Sequence, residues 1–118
     1  MPKALTVDDA LFMRATLRKI LEPAGFEVIE AADGAEGVKA YEEHKPDVVF
    51  MDITMPQMDG IEATRAIKEK DANAKVIICS ALGQQATVIK AIEAGACEYI
   101  TKPFQPAQVL EALKRVVG

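Results

Sequence analysis

With 118 residues the chain has room for one hydrophobic core but not for a second module. It is 50% apolar and 27% charged, as an ordinary globular domain is. Its net charge of −4 argues against nucleic acid as the main partner, because phosphate contacts need clustered Lys and Arg.

No apolar run approaches the roughly 20 residues of a membrane span. Met1-Pro2-Lys3 leads straight into a strand-like segment with no signal-peptide core, so a cytoplasmic, reduced setting is expected. The two cysteines, Cys79 and Cys97, have no metal-site spacing, and Cys79 reads as a small buried hydrophobe.

Ala4-Leu5-Thr6-Val7 reads as a strand ending at two acids, Asp8 and Asp9. Met13, Leu17, Ile20 and Leu21 then form a helical stripe that Pro23 and Gly25 should stop, Gly25 as a left-handed cap. Phe26 to Glu30 alternates as an edge strand does. Asp33 and Glu36 form a variant capping box opening a second helix through Val38 and Tyr41, and His44-Lys45-Pro46 closes that unit.

Val48 to Met51 has the length and β-branched character of a strand buried on both faces, and it ends at Asp52. Met55-Pro56-Gln57-Met58 is a loop, and Asp59 with Glu62 opens a helix through Ile61 and Ile67. Lys68 to Asp71 reads as a wet helix end. Strand four, Lys75 to Cys79, ends at Ser80, and Gln84 to Ala94 is helical, with Val88, Ile89 and Ile92 apolar and Gly95 as the stop. Strand five, Glu98 to Thr101, ends at Lys102-Pro103, and Pro106 starts a last helix striped by Val109, Leu110, Leu113, Val116 and Val117.

Five strand–helix units in strict alternation predict an α/β fold, a parallel sheet with helices on both faces and right-handed crossovers. In such a sheet the strands' carboxyl ends share one edge, and ligands bind where the strand order reverses. In the flavodoxin-like order 2-1-3-4-5 that point lies between strands one and three. Asp8 and Asp9 then stand beside Asp52, with Ser80 and Lys102 flanking.

Taken alone, an Asp at a strand end is a common turn residue. Three acids, a hydroxyl and a lysine at four converging ends are not what independent turns would produce. Crowded carboxylates repel and raise one another's pKa, which a hard divalent cation relieves. Magnesium takes one or two carboxylates and keeps further oxygen positions open. A lysine suits an anionic phosphate oxygen, and a carboxylate can attack phosphorus. The pattern reads as Mg²⁺-assisted phosphorylation of an aspartate.

Val7-Asp8-Asp9, MDITMPQMDG with Asp52, Ser80-Ala81 and Tyr99-Ile100-Thr101-Lys102-Pro103-Phe104 together resemble a response-regulator receiver domain over the whole chain, 1–118. SALGQQ and TKPFQP are most similar to the single-domain regulators of chemotaxis. The order 2-1-3-4-5 belongs to that family, so the resemblance carries it and the spacing does not.

The resemblance implies that Asp52 accepts a phosphoryl group from a sensor histidine kinase or a small donor such as acetyl phosphate. Asp9, Asp52 and the backbone carbonyl of Thr54 would ligate Mg²⁺, Asp8 acting largely through water. Lys102 would pair with the phosphoryl group, and Ser80 would hydrogen-bond to it. Tyr99 would be the switch aromatic, and Lys102–Pro103 would be cis. Helix four, strand five and helix five would bind the kinase and a flagellar motor switch protein; a phosphatase would be a further partner, and the chain would be a monomer. Self-catalysed transfer and slow autodephosphorylation would be its only chemistry, so it would not be an enzyme. Thr54 and Leu82 stand where some relatives carry acid or amide groups, which implies slower dephosphorylation than in those relatives.

A haloacid dehalogenase-type phosphatase expects an acid where Thr54 stands. A flavodoxin-like carrier expects a Gly/Ser/Thr-rich phosphate cradle, which no loop here supplies. A phosphorelay intermediate, or the receiver of a transcriptional regulator, would share the same site and remains the alternative reading. His44, among Glu42, Glu43 and Lys45, reads as a solvated loop residue, and Met51, Met55 and Met58 as packing residues. Gly83 merely starts the helix turn, though it could let the loop move.

Overall fold

A computed structural model describes residues 2–53, 59–81 and 84–117. Strands and helices alternate: β1 (Lys3–Val7), α1 (Leu11–Leu21), β2 (Glu27–Ala31), α2 (Gly34–His44), β3 (Val48–Asp52), α3 (Gly60–Lys70), β4 (Val76–Ser80), α4 (Gln85–Glu93), β5 (Glu98–Thr101) and α5 (Pro106–Val117). All pairings are parallel, in the order β2-β1-β3-β4-β5. The α/β class and strand order match the expectation. Boundaries differ by a residue or so, β2 running from Glu27 to Ala31 where Phe26 to Glu30 was expected.

The central strands β3 and β4 are buried at every position. Alternate residues point to opposite faces, so each strand feeds two cores. Val49, Met51, Val76 and Ile78 pack beneath α2, α3 and α4, with Tyr41, Ala63, Ile67, Val88 and Ala91. Val48, Phe50 and Ile77 pack beneath α1 and α5, with Leu17, Leu21, Val109 and Leu113. Each fully buried large aliphatic or aromatic side chain contributes roughly 1.5–3 kcal/mol. Cys79 lies in the second core, where burial pushes its thiol pKa up and keeps it protonated.

Helix ends follow local chemistry. Asp33 and Asp59 accept from the amides of Glu36 and Glu62 at 2.8 and 2.9 Å. Gly25 and Gly95 take positive φ after α1 and α4. Lys45, a non-glycine at φ 45°, caps α2 through its amide bond to the Tyr41 carbonyl.

Of the apolar residues on α4, Val88 lies in the core, whereas Ile89 and Ile92 are 61% and 42% exposed, because Val88 and Ala91 supply the helix's buried face. One reading needs correction: the end of α3 is more than a wet surface. Lys68 Nζ donates to the carbonyls of Ala72 and Ala74 at 2.7 and 3.1 Å, and Asp71 accepts from the Tyr41 hydroxyl. His44 is exposed beside Glu43 as expected, but it is the last residue of α2 and not part of a loop. Among the described residues no helix is long and apolar enough to cross a membrane.

Candidate functional site

Asp52 is the last residue of β3, and Asp8 follows β1 directly. Val7 pairs in register with Met51, so the two carboxylates emerge side by side at the carboxyl edge. Asp8 and Asp52 are buried, while Asp9 is exposed. One carboxylate oxygen from each of Asp8, Asp9 and Asp52 lies within 4.8 Å of the others.

Lys102 follows β5, whose end is tied to β4 by the Lys102 amide donating to the Ser80 carbonyl at 2.7 Å. Its ammonium reaches back across the sheet edge to Asp52 Oδ1 at 2.9 Å and Asp8 Oδ2 at 3.0 Å. The Lys102–Pro103 bond is cis, as the resemblance implied. Ser80 is buried at the end of β4, in register with Thr101. Thr54, Leu82 and Gly83, and the loop methionines Met55 and Met58, lie outside the described residues.

Electrostatics follow from this crowding. Burial pushes the Asp52 pKa up; the Lys102 hydrogen bond pulls it down, and the neighbouring Asp8 charge raises it again, leaving it above its ordinary value. Burial opposes the charge on Lys102 as well. Its hydrogen bonds to Asp52 and Asp8 outweigh that cost and hold its pKa above the usual value. The lysine already acts as a single positive charge shared by two acids.

One cation among three carboxylates leaves negative charge in excess. All the acidic donors are hard oxygens converging within reach of one small ion, so this donor set fits magnesium. The set does not suit zinc, which favours Cys and His.

Close packing shapes the floor of the site. Gly60 begins α3 with its amide donating to the Ile53 carbonyl at 2.7 Å. A Cβ there would overlap the Asp52 carbonyl oxygen and come 2.9 Å from Ile53 Cα. Glycine is therefore required for α3 to start against the end of β3. The Asp59-Gly60 pair was visible in the sequence, but the contact was not, since it joins two elements. Gln84 was also missed: its Oε1 accepts from the Ala81 amide at 2.7 Å, just past Ser80.

Tyr99 sits apart from the carboxylates and is 49% exposed. It lines an apolar groove of about 470 Å³ between α4 and β5, with Ile89 and Ile92 on one side and Ser80 at its inner end.

Residues 4–114 match the response regulator receiver domain family. The chain is 57% identical to the chemotaxis protein CheY of Thermotoga maritima, over 97% of this chain and 96% of that one. It is 55% identical to the CheY of Bacillus subtilis, over 98% of each. A solved CheX-CheY-BeF3-Mg²⁺ complex from Borrelia burgdorferi includes a chain 42% identical, with a TM-score of 0.93 over 99% of this chain and 90% of that one. The chain belongs to the response regulator receiver domain family and is homologous to the CheY regulators of two-component signalling.

Proposed function

We propose that this chain is a single receiver domain over residues 1–118 that works as a phosphorylation-activated switch, with Asp52 as phosphoacceptor. The reading rests on one observation: three carboxylates converge at the sheet's carboxyl edge, and a lysine ammonium bridges two of them.

A free oxygen of Asp52 forms a bond to the incoming phosphorus while the bond to the donor breaks. The leaving group is the imidazole of a kinase phosphohistidine, or acetate from acetyl phosphate. Mg²⁺ held by Asp8, Asp9, Asp52 and the Thr54 carbonyl would neutralise charge on the transferring group. Lys102 exchanges its carboxylate partners for phosphoryl oxygens, and its raised pKa keeps it charged while it does so. Ser80 donates its hydroxyl to another phosphoryl oxygen. The chain turns over no other substrate and is a signalling protein, not an enzyme.

Phosphorylation adds about −1.5 to −2 charges and three strong acceptors. It can shift a conformational equilibrium only by differential interaction with the two states. Ser80 carries that difference from the phosphoryl group to the groove it shares with Tyr99. Tyr99 then turns inward and changes the face of α4, β5 and α5. Ile89 and Ile92 leave apolar surface exposed on that face.

The CheY relatives favour chemotaxis as the setting, with a sensor histidine kinase as donor and a flagellar motor switch protein as reader, in the cytoplasm. The CheX-CheY complex favours a phosphatase as a further partner.

Intact-mass spectrometry after incubation with acetyl phosphate, with and without Mg²⁺, tests the chemistry. One phosphoryl group gained with metal, and none in Asp52→Ala, is the expected result. No gain under either condition would return Asp52 to the role of a turn residue.

A further inference from the structure

All four polar elements of Asp8 are engaged. Its amide donates to the Ala31 carbonyl at 3.1 Å, and its Oδ1 accepts from the Ala10 amide at 2.9 Å. Its Oδ2 meets Lys102 Nζ at 3.0 Å, and its carbonyl accepts from Arg14 Nη1 at 2.6 Å. The first two partners are backbone, and the third is the site's own lysine. Arg14 comes from the first turns of α1 and is bound to the main chain of Asp8 rather than to its carboxylate.

Arg14 is itself held. Its Nε donates to Glu30 Oε1 on β2 at 2.8 Å, and its side chain is only 14% exposed. Arg18 takes the other oxygen of Glu30 and also donates to the Val28 carbonyl at 3.3 Å. A guanidinium is planar and rigid, so anchoring Nε on Glu30 fixes where Nη1 points. Charge-assisted bonds of this length are among the stronger ones.

The carbonyl that Arg14 grips belongs to the peptide joining Asp8 to Asp9. That peptide is planar, so holding its oxygen also fixes the amide and Cα of Asp9. Asp9 is exposed, and its carboxylate is aimed by the backbone on either side of it. Beyond the Asp8 Oδ1–Ala10 amide bond, the start of α1 adds no support from side chains: Ala10 is the N-cap with no side-chain cap bond, and the first turn carries no acid. Repulsion among three nearby carboxylates pushes the turn open whenever no divalent cation joins them.

We propose that Arg14 is a positioning residue of the cation site, clamping the Asp8–Asp9 peptide so that both carboxylates stand ready for the ion. The proposal rests on the reading of these acids as magnesium ligands. It predicts a sign opposite to that of simple electrostatics. Removing a nearby positive charge should tighten cation binding, whereas loss of a clamp weakens it.

Calorimetric titration of the metal-free chain with MgCl2 tests this, comparing wild type with Arg14→Gln, Arg14→Lys and Arg18→Gln. Arg18→Gln also breaks an arginine–Glu30 pair but leaves the Asp8 carbonyl bonded, so it controls for loss of the ion-pair network. Arg14→Gln is expected to bind Mg²⁺ roughly tenfold more weakly, the lower end of what losing an outer support costs. Arg14→Lys, which keeps the charge but not the fork, should fall between Arg14→Gln and wild type, and Arg18→Gln should match wild type. In the metal-free state the Ala10 amide should exchange faster in Arg14→Gln than in Arg18→Gln. Unchanged or tighter binding in both Arg14 variants overturns the proposal, as does equal weakening in Arg18→Gln. Wild type that takes up no Mg²⁺ would instead sink the ligand reading, and the clamp with it.

Discussion

Gly60 stands so close to Asp52 that any side chain on it would overlap the Asp52 main-chain carbonyl. Replacing a helical Gly by Ala ordinarily gains up to about 1 kcal/mol in propensity. Here the opposing term is overpacking against backbone, typically about 1–3 kcal/mol and not relieved by a rotamer change. Steric cost wins, and Gly60→Ala should lose about 1–2 kcal/mol net. Urea midpoints would register the loss. A more stable variant would mean that α3 moves freely relative to β3.

Lys102 occupies oxygens of Asp8 and Asp52 that a divalent cation would also use. Lys102→Met should therefore bind Mg²⁺ more tightly, by roughly tenfold for a net gain of about 1.4 kcal/mol. Phosphorylation by acetyl phosphate should nevertheless slow by roughly a hundredfold, as when one preorganised donor is removed from a reacting centre. Calorimetry and time-resolved intact mass read the two effects separately. Loss of Mg²⁺ affinity together with activity would show that the lysine supports the metal rather than competing with it.

The Tyr41 hydroxyl donates to Asp71 Oδ2 at 2.7 Å. That bond holds the Asp71 carboxyl below its ordinary pKa, while burial, and then the same bond, push the Tyr41 phenol up. A lowered carboxyl contributes stability above its unfolded pKa, about 4, and loses it as pH falls through the folded value. A raised phenol contributes below its unfolded pKa, about 10, and loses it as pH rises through the folded value. Tyr41→Phe should therefore be less stable near neutrality and closer to wild type at both extremes. Urea midpoints across the pH range check this; a constant gap at every pH would show that the hydroxyl contributes through packing alone.

The chain has two tyrosines and no tryptophan, so Tyr41→Phe leaves Tyr99 as the only tyrosine emitter. If Tyr99 turns into the groove it shares with Ser80, acetyl phosphate with Mg²⁺ should reduce acrylamide quenching of that emission. Adding Asp52→Ala should abolish the change. Quenching that stays at its starting level in fully phosphorylated protein would remove Tyr99 from the switch.

Neither Thr54 nor Leu82 has a side chain able to act as an acid or base. The aspartyl-phosphate should therefore decay slowly, and Thr54→Asn combined with Leu82→Glu should speed it up. A timed decay at saturating Mg²⁺ decides the matter, and equal lifetimes for the two proteins would discard the idea.

The order of the elements and the chemistry at the strand ends were legible in the linear pattern. Asp8, Asp9, Asp52, Ser80 and Lys102 each directly end or follow a run of apolar residues, and parallel strands bring such ends to one edge. Helix caps were legible for a similar reason: Asp33 and Asp59 act on amides three residues away.

Other features depend on partners distant in sequence. Periodicity marked Ile89 and Ile92 as apolar, but only packing decided that Val88 and Ala91 face the core and those two face a groove. Arg14 reads as one more charge on α1 until the fold brings Glu30 beside it and turns the Asp8 carbonyl toward it. Asp71 looked solvated because its partner, the Tyr41 hydroxyl, comes within reach only after α2 and α3 pack. Local sequence thus determined which residues form strands, helices and caps, through short-range sterics and hydrogen bonding. Tertiary structure alone decided which apolar face is covered and which side chain grips which distant backbone, because those contacts exist only when separate elements share one core.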